Sequence, residues 1–339
     1  MSPERSICIL PELTGLGGPA SFQSRLKAGL LARGWKVVHN PAETACSAVL
    51  VIGGPRRFLP AVFAAQKHGL RIVQRLNGMN WIHRRRWSGL RYYLNAELNN
   101  LTIAFIRRKA DRVIYQSQFA RSWWERVYGQ LEKPQTVIFN GVDLNQFSPV
   151  GSETTPENCI RMLLVEGHLS KGFELGVTCA VAAARELEGL LNRQVELVVA
   201  GDAPGEVHQK WTNEKLIRWV GVIPRDQVPA LDRSAHLLFS ADLNAACPNS
   251  VVEALACGLP VAAFSTGALP EMVTSDAGVI APYGGDPWKL DFPNVRPLAE
   301  AACDLVRDQE HYRRGARARA VAEFDLEDMA DRYLEYLVN

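Results

Sequence analysis

Short apolar runs rich in β-branched residues alternate with helical patterns along this entire 339-residue sequence. The first half contains the runs SICILP, WKVV, SAVLVIG, LRIVQRL, DRVIYQ and QTVIF, and the second half contains IRMLLVEG, VELVVAG, LIRWVG, AHLLFSA, LPVAAF and GVIAP. Strands that alternate with helices form parallel sheets with helices on both faces, and near-continuous apolar runs are typical of such buried strands. The pattern therefore predicts an α/β fold with two doubly wound, Rossmann-like domains.

A polar, aperiodic stretch near the middle of the chain separates the two sets of strands. It reads SPVGSETTPENC, over residues 148–159, and its Pro, Gly and Ser content is typical of a linker. We therefore expect one domain over residues 1–150 and a second over 151–324, followed by an amphipathic helix within 325–339. Because parallel sheets bind ligands at the carboxyl ends of their strands, we expect the site in a cleft between the domains.

The two halves of the sequence carry opposite charge. Residues 1–150 contain 21 Lys and Arg against 8 Asp and Glu, a balance of +13, whereas the remaining residues contain 17 against 28, a balance of −11. The first half is therefore expected to meet anionic partners. The seven cysteines include no CxxC pair, the start has no secretory-signal pattern, and no apolar run approaches the about 20 residues of a membrane span. These features predict a cytoplasmic protein with no metal site.

A single glutamate, Glu253, stands in the otherwise small and apolar stretch LNAACPNSVVEALACGLPVAAF. One interpretation is structural, because Ser250 and Glu253 have the spacing of a capping box at a helix start. Gly258 and Pro260 then end that helix before a buried strand. The other interpretation is functional, because a carboxylate near the positive end of a short helix also suits a ligand site.

A glycine-rich loop, TGLGGPASF, follows the first predicted strand and opens a helix. Glycines at such a helix start let the backbone approach a phosphate group. Gly15, Gly17 and Ala20 match the dinucleotide fingerprint GxGxxA, but the end of the second strand, VVHNPAE, has no acid for a ribose. Phosphate binding, a tight structural turn and, less favoured, dinucleotide binding are the three interpretations.

A second loop, VEGHLSKGFELG, also follows a strand and opens a helix. His168 and Lys171 could aim donor and cationic groups at a diphosphate in the cleft. The alternative is that Lys171 is an ordinary solvated lysine.

The stretch VIFNGVDLNQFSP is a strand that leaves the first domain through a turn. Asn140 and Gly141 are residue types that tolerate positive φ, and Phe147 is expected to be buried. A hinge turn without chemistry is the favoured interpretation of this stretch, including Asp143.

Arginines and aromatic residues are interleaved in RLNGMNWIHRRRWSGLRYYL. Such a composition suits an anionic surface, because indole rings lie at the level of lipid headgroups while guanidinium groups meet phosphates. No nucleic-acid-binding motif accompanies it. The candidate residues for an acceptor or membrane surface are Trp81, Arg84, Arg85, Arg86 and Trp87.

Four motifs occur in a fixed order: the GG loop, FNGVD, the G…KG loop and VVEALACGLPV, with GALPEMV in support. Together they resemble glycosyltransferase family 4, the retaining enzymes of GT-B fold that use nucleotide-sugar donors. The resemblance covers nearly the whole chain. It implies an acceptor-side first domain, a donor-binding second domain, a central cleft and a final helix that packs back on the first domain.

The resemblance also implies residue roles. Glu253 matches the glutamate that holds the donor ribose, with Asn249, Ser250 and Val251 at the same donor site. Lys171 matches the lysine on the donor diphosphate. The loop residues Gly17 and Gly18 match the loop that faces the phosphate, and Asn77 stands where the family often has a catalytic His or Asp.

The sequence departs from the family at three of these positions. Ala245 replaces a second glutamate that contacts the donor sugar, and Asp242 and Asn244 are nearby candidates to substitute for it. His168 takes the place of the usual arginine, and Asn77 cannot be a general base.

The function implied is a retaining, hexosyltransferase-type glycosyltransferase of cell-envelope or polysaccharide biosynthesis. Front-face displacement needs neither metal nor cofactor, and the acceptor would be a glycan, a lipid-linked molecule or another anionic molecule. Peripheral association with the inner face of the membrane is a further expectation. The alternative is a degenerate GT-B protein that binds a nucleotide sugar or glycan without turnover; an epimerase is a lesser rival.

Overall fold

The computed structural model describes residues 5–15, 17–42, 46–54, 56–169 and 174–339. The chain divides into two compact units: unit 1 comprises Met1–Gly141 and Leu326–Asn339, and unit 2 comprises Val142–Asp325. The division at Gly141 falls earlier than the linker expected at 148–159, and the final helix belongs to unit 1. No helix in the described ranges is long and apolar enough to span a bilayer. All seven cysteines lie in the described ranges and are buried, and none of them forms a disulfide bond.

Unit 1 contains a parallel sheet in the order β2-β1-β3-β4-β5-β6 over the described residues. Its strands are β1 (Ser6–Leu10), β2 (Lys36–Val38), β3 (Ala48–Ile52), β4 (Arg71–Leu76), β5 (Arg112–Tyr115) and β6 (Gln135–Val137). Its helices are α1 (Gly18–Ala32), α2 (Leu59–Lys67), α3 (Leu90–Lys109), α4 (Gln118–Tyr128) and, at the end of the chain, α12 (Leu326–Val338).

Alternation along the strands of unit 1 directs side chains to both faces of the sheet. Ile7 and Ile9 of β1 face a core formed with α1 and α12, where the rings of Phe22 and Tyr333 lie 5.2 Å apart. Cys8 of β1 belongs to the opposite core, which α2 and α3 cover. Burial on both faces explains why the strands read as continuous apolar runs in the sequence.

Unit 2 contains a second parallel sheet, in the order β12-β11-β10-β7-β8-β9 over the described residues. Its strands are β7 (Ile160–His168), β8 (Val195–Asp202), β9 (Ile217–Gly221), β10 (Leu237–Ser240), β11 (Val261–Phe264) and β12 (Gly278–Ala281). Its helices are α5 (Glu174–Leu191), α6 (Gly205–Lys210), α7 (Val228–Arg233), α8 (Asn249–Ala256), α9 (Leu269–Met272), α10 (Arg296–Arg307) and α11 (Gln309–Glu323). All of the runs predicted as strands are strands, so the α/β, doubly wound prediction is confirmed.

The core of unit 2 lies between its sheet and helices α5 and α10, where Phe239 of β10 and Phe264 of β11 pack edge to face. Helix α8 packs against α11. Phe147, expected to be buried, is 2% exposed and therefore confirms that expectation. The turn before it differs from the prediction: neither Asn140 nor Gly141 has positive φ. Asn140 instead contributes its amide oxygen, which accepts two buried hydrogen bonds.

Candidate functional site

The strand order of unit 2 defines a crevice at the carboxyl ends of β7 and β10. The chain leaves β7 toward β8 on one side, and β10 returns to the other side of β7 before the chain continues to β11. In doubly wound sheets, ligands bind where the direction of winding reverses in this way. The segments at this edge are Glu166–His168 at the end of β7 and residues 241–248 between β10 and α8. The sequence motifs with Glu253 and His168 therefore converge on one edge of one sheet.

Helix α8 begins one residue before Ser250, so the predicted capping box is wrong. Pro248 is the N-cap, in an extended conformation, and its carbonyl accepts the hydrogen bond from the Val252 N–H at 3.3 Å. Because Asn249 is then the first helical residue, Glu253 lies in the second turn and beyond reach of the N-cap backbone. The carboxylate of Glu253 is therefore not used as a cap. The helix does end at Gly258, whose φ of +71° only glycine adopts readily.

Glu253 is half-buried and faces a second carboxyl group, that of Asp232 on α7. Burial raises the pKa of Asp232 well above its usual range, and the nearby charge of Glu253 raises that pKa further. The Cys257 thiol forms a hydrogen bond with Asp232 and partly opposes these effects. Asp232 is 1% exposed, and its burial and the charge of Glu253 both favour its neutral form.

A second pair of carboxyl groups lies at the crevice itself. Asp242 follows β10, and burial raises its pKa to about 6. Glu166 stands near the end of β7, and burial, followed by the charge of Asp242, raises its pKa well above the usual range. The charge of Asp242 thus favours the neutral form of Glu166. Asp242 was predicted as a substitute for the glutamate missing at Ala245, but Glu166 was missed, although an acid at the end of a buried strand was a visible signal.

The loop that carries Asp242 is held by the segment after β11. The Ala268 N–H donates to the Ala245 carbonyl at 2.8 Å, and the Thr266 hydroxyl donates to the Asp242 carbonyl at 3.5 Å. A β-carbon at Gly267 would lie 2.6 Å from the backbone nitrogen and oxygen of Ala245, so only glycine permits this approach. The GALPEMV motif thus has a structural role, because it holds the loop that carries Asp242 beside the crevice.

The diphosphate-binding candidates are only partly described by the structure. His168 is exposed at the end of β7, and its Nδ1 lies 3.1 Å from Oδ2 of Asp202. Lys171 lies outside the described residues. At the start of α8, Asn249 and Ser250 are half-buried and Val251 is buried. The structure therefore brings His168 and the start of α8 to the edge that carries Glu166 and Asp242.

The glycine loop of unit 1 also lies at a point where the winding reverses, between β1 and β3. Gly17 is the N-cap of α1, and Gly18 is its first residue. A β-carbon at Gly17 would meet only the Cδ of Pro19, at 4.0 Å, so packing does not require glycine there. Both glycines are exposed, so the helix start presents bare backbone, as phosphate binding would need.

Asn77 lies just beyond the carboxyl end of β4 and is held by a buried arginine that the sequence interpretation missed. The Arg75 guanidinium, fully buried, donates from Nη1 to Oδ1 of Asn77 at 2.5 Å and from Nη2 to Oδ1 of Asn140 at 2.7 Å. The same guanidinium lies 3.5 Å above the ring centre of Phe22. An arginine within the apolar strand RIVQRL was the available signal. Because its amide oxygen is fixed by Arg75, Asn77 presents a positioned amide and no base.

The side chains of the basic and aromatic segment 81–87 differ in their exposure and in their partners. Arg84 donates to both oxygens of Glu97, at 2.5 and 2.8 Å, and these hydrogen bonds are the main reason why the pKa of Glu97 falls to about 2. Trp81 is half-buried, whereas Arg85 and Arg86 are exposed and Trp87 is 72% exposed. Arg85, Arg86 and Trp87 are therefore among the exposed residues of this segment.

Comparison with known proteins places both halves of the chain among glycosyltransferases. Residues 6–146 match the family model described as Glycosyltransferase Family 4, and residues 161–308 match the model described as Glycosyl transferases group 1. The D-inositol 3-phosphate glycosyltransferase of Thermobifida fusca is 28% identical over 205 residues, which cover 55% of this chain and 46% of that protein. The chain thus spans less than half the length of the curated relatives that it matches.

Solved structures resemble the chain over nearly its whole length. Sucrose-phosphate synthase from Thermosynechococcus elongatus has a TM-score of 0.75 at 15% identity, with 98% of each chain covered. HepE from Anabaena, in a complex with UDP and glucose, has a TM-score of 0.67 at 17% identity, with 99% of each chain covered. These likenesses show a GT-B fold. With this fold, and with one glycosyltransferase model matched by each half, the chain belongs to the family 4-type glycosyltransferases.

Proposed function

We propose that the chain is a retaining, hexosyltransferase-type glycosyltransferase that uses a nucleotide-diphosphate sugar. The observation that carries this proposal is the position of Glu253, which is half-buried in the second turn of α8 and close to Asp232. A carboxylate is the group that α/β proteins use to accept hydrogen bonds from ribose hydroxyls. Glu253 would therefore hold the donor ribose, as the family resemblance implies.

The diphosphate of the donor would lie at the crevice beside the helix starts. Asn249, Ser250 and Val251 begin α8, and backbone N–H groups at a helix start favour an anion. Lys171 and His168 would add positive charge or a donor, and the family resemblance assigns Gly17 and Gly18 to the loop that faces the phosphate. HepE from Anabaena has been crystallised with UDP and glucose, which supports a uridine nucleotide as the first donor to test.

The proposed reaction is a front-face displacement without metal or cofactor. The bond between the anomeric carbon and the β-phosphate oxygen breaks, the acceptor oxygen bonds to the same face of that carbon, and the acceptor proton passes to the departing phosphate. No protein base is needed, so Asn77 can serve by positioning a sugar or acceptor hydroxyl. The remaining task is to stabilise charge that develops on the diphosphate, which Lys171, His168 and the helix starts would do.

The acceptor is proposed to be a glycan, a lipid-linked molecule or another anionic molecule of cell-envelope or polysaccharide biosynthesis. Support comes from the +13 balance of residues 1–150 and from the exposed Arg85, Arg86 and Trp87. A match to the O-antigen chain mannosyltransferase B of Escherichia coli, 28% identical over 107 residues, is compatible with this class. The same surface would hold the protein at the inner face of an anionic membrane from the cytoplasm.

A donor-binding protein without turnover is the second candidate. Ala245 lacks the carboxylate that would contact the donor sugar, and the Nδ1 of His168 lies 3.1 Å from Oδ2 of Asp202. Release of free nucleotide from a panel of nucleotide sugars distinguishes the two candidates, with membrane extract as the acceptor source. Transfer that Glu253→Gln abolishes, and that the exposed control Glu300→Gln leaves intact, supports the enzyme. Binding without release supports the second candidate, and sugar isomerisation without release would indicate an epimerase.

A further inference from the structure

Helix α3 exposes a continuous row of large apolar side chains. The row, here called the leucine stripe, consists of Leu90, Leu94, Leu98, Leu101 and Phe105, whose exposed fractions run from 43% to 59%. Their spacing of four, four, three and four residues confines them to an arc of about 80° at about 100° per residue. At about 1.5 Å per residue the stripe is about 22 Å long. Exposed apolar surface of this extent marks an interaction site.

The inward face of α3 carries polar as well as apolar side chains: Asn100, Thr102 and Arg107 are buried beside Ile103 and Ile106. Asn100 is fully buried; it accepts a hydrogen bond from the Asn80 N–H at 3.0 Å and donates one to the Asn80 carbonyl at 2.8 Å. Arg107 is 2% exposed, and its Nε donates to the Tyr115 hydroxyl at 2.9 Å. Rotation of α3 to hide the stripe would break these buried hydrogen bonds. The exposure of the stripe is therefore fixed by the fold.

Basic side chains border the leucine stripe. On a helical projection, Arg108 lies at one edge of the arc, and Arg91 and Lys109 lie just beyond the other, all three of them exposed. Arg56, which precedes α2, donates to Asn95 on the same side of α3, at 3.2 Å. Glu97, the single acid of α3, is bound by Arg84 and His83. The stripe is thus an apolar strip with a cationic border.

We propose that the leucine stripe inserts into the headgroup region of an anionic lipid bilayer. Leucine and phenylalanine flanked by arginine and lysine are the composition of helices that lie in that region. A second copy of the chain is the rival occupant, but a two-fold contact through the stripe would bring the like-charged borders together. This inference rests on the anionic-surface part of the proposed function and assigns the membrane contact to α3 in addition to segment 81–87.

The test is co-sedimentation of the full chain with vesicles of phosphatidylglycerol and phosphatidylcholine, compared with phosphatidylcholine alone. Leu94→Ser with Leu101→Ser is expected to weaken the partition constant at least about tenfold. The matched control, Leu31→Ser with Val127→Ser, changes two apolar residues of unit 1 that are 51% and 45% exposed, and should leave binding unchanged. Leu98→Gln provides a second stripe variant if the first lowers the melting temperature.

Three outcomes would overturn the proposal. The first is that the unaltered chain does not bind vesicles, and the second is that the stripe variants bind them as strongly as the unaltered chain does. The third outcome is that the unaltered chain and the control form a dimer and the stripe variants are monomers. If Arg85→Ser with Arg86→Ser abolishes vesicle binding and the stripe variants do not, segment 81–87 is the membrane contact and the leucine stripe is not. A nucleotide titration of the same samples tests the donor-site proposal independently of membrane binding. A chain that binds vesicles and no nucleotide contradicts only the donor site.

Discussion

Replacement of Asp242 by asparagine is expected to remove a destabilisation of unit 2 that increases as the pH rises. Burial raises the pKa of Asp242 from its ordinary 3.8 to about 6, so between these values the folded chain binds more protons than the unfolded chain. The stability that this group contributes is therefore fully present below about pH 4 and is lost as the pH rises through 6. A shift of about 2 units at about 1.4 kcal/mol per unit corresponds to about 3 kcal/mol.

The assay is chemical unfolding of the unaltered chain and of Asp242→Asn at intervals from about pH 4 to about pH 8. At the acid end the two proteins should be similarly stable, and at the alkaline end Asp242→Asn should be more stable by up to about 3 kcal/mol. Asp226→Asn, at an exposed carboxyl of the same unit, is the control and should leave the profile unchanged. Parallel profiles for the unaltered chain and Asp242→Asn would refute the argument that burial raises the pKa of Asp242.

Two further substitutions test the local geometry. Gly267→Val places a β-carbon 2.6 Å from the Ala245 backbone at a φ of +58°, so we expect a loss of at least about 2 kcal/mol in unfolding experiments, and a wild-type melting temperature would contradict it. Arg75→Met removes the donor that binds the amide oxygens of Asn77 and Asn140, so urea unfolding should show a loss of about 2–4 kcal/mol; equal stability would mean that the guanidinium network is dispensable.

The strands could be predicted from the sequence because burial on both faces of a parallel sheet makes most of their positions apolar. Runs such as SICILP and LPVAAF can therefore be assigned without knowledge of their neighbours. The motifs around Glu253 and the glycine loop could likewise be recognised, because each lies within one local strand–loop–helix segment.

Features that depend on strand order or on helix rotation could not be predicted. The proximity of Glu166 and Asp242 follows from the pairing of β7 with β10, which are separated by much of unit 2 in the sequence. The leucine stripe is hidden in the sequence because α3 turns polar side chains such as Asn100 inward. The helix start at Pro248 was missed because Ser250 is a locally better N-cap residue, yet the extended Pro248 already precedes a helical Asn249.

The most direct test of the central claim is a calorimetric titration of the full chain with UDP, GDP, ADP and their common sugars. The account predicts saturable binding of one nucleotide class, weakened at least about tenfold by Glu253→Gln, since a hydrogen bond to a charged carboxylate is lost. The exposed control Glu300→Gln should bind as the unaltered chain does. Absence of binding to every nucleotide, or equal binding by Glu253→Gln, would contradict the assignment of the donor site to α8 and the end of β7.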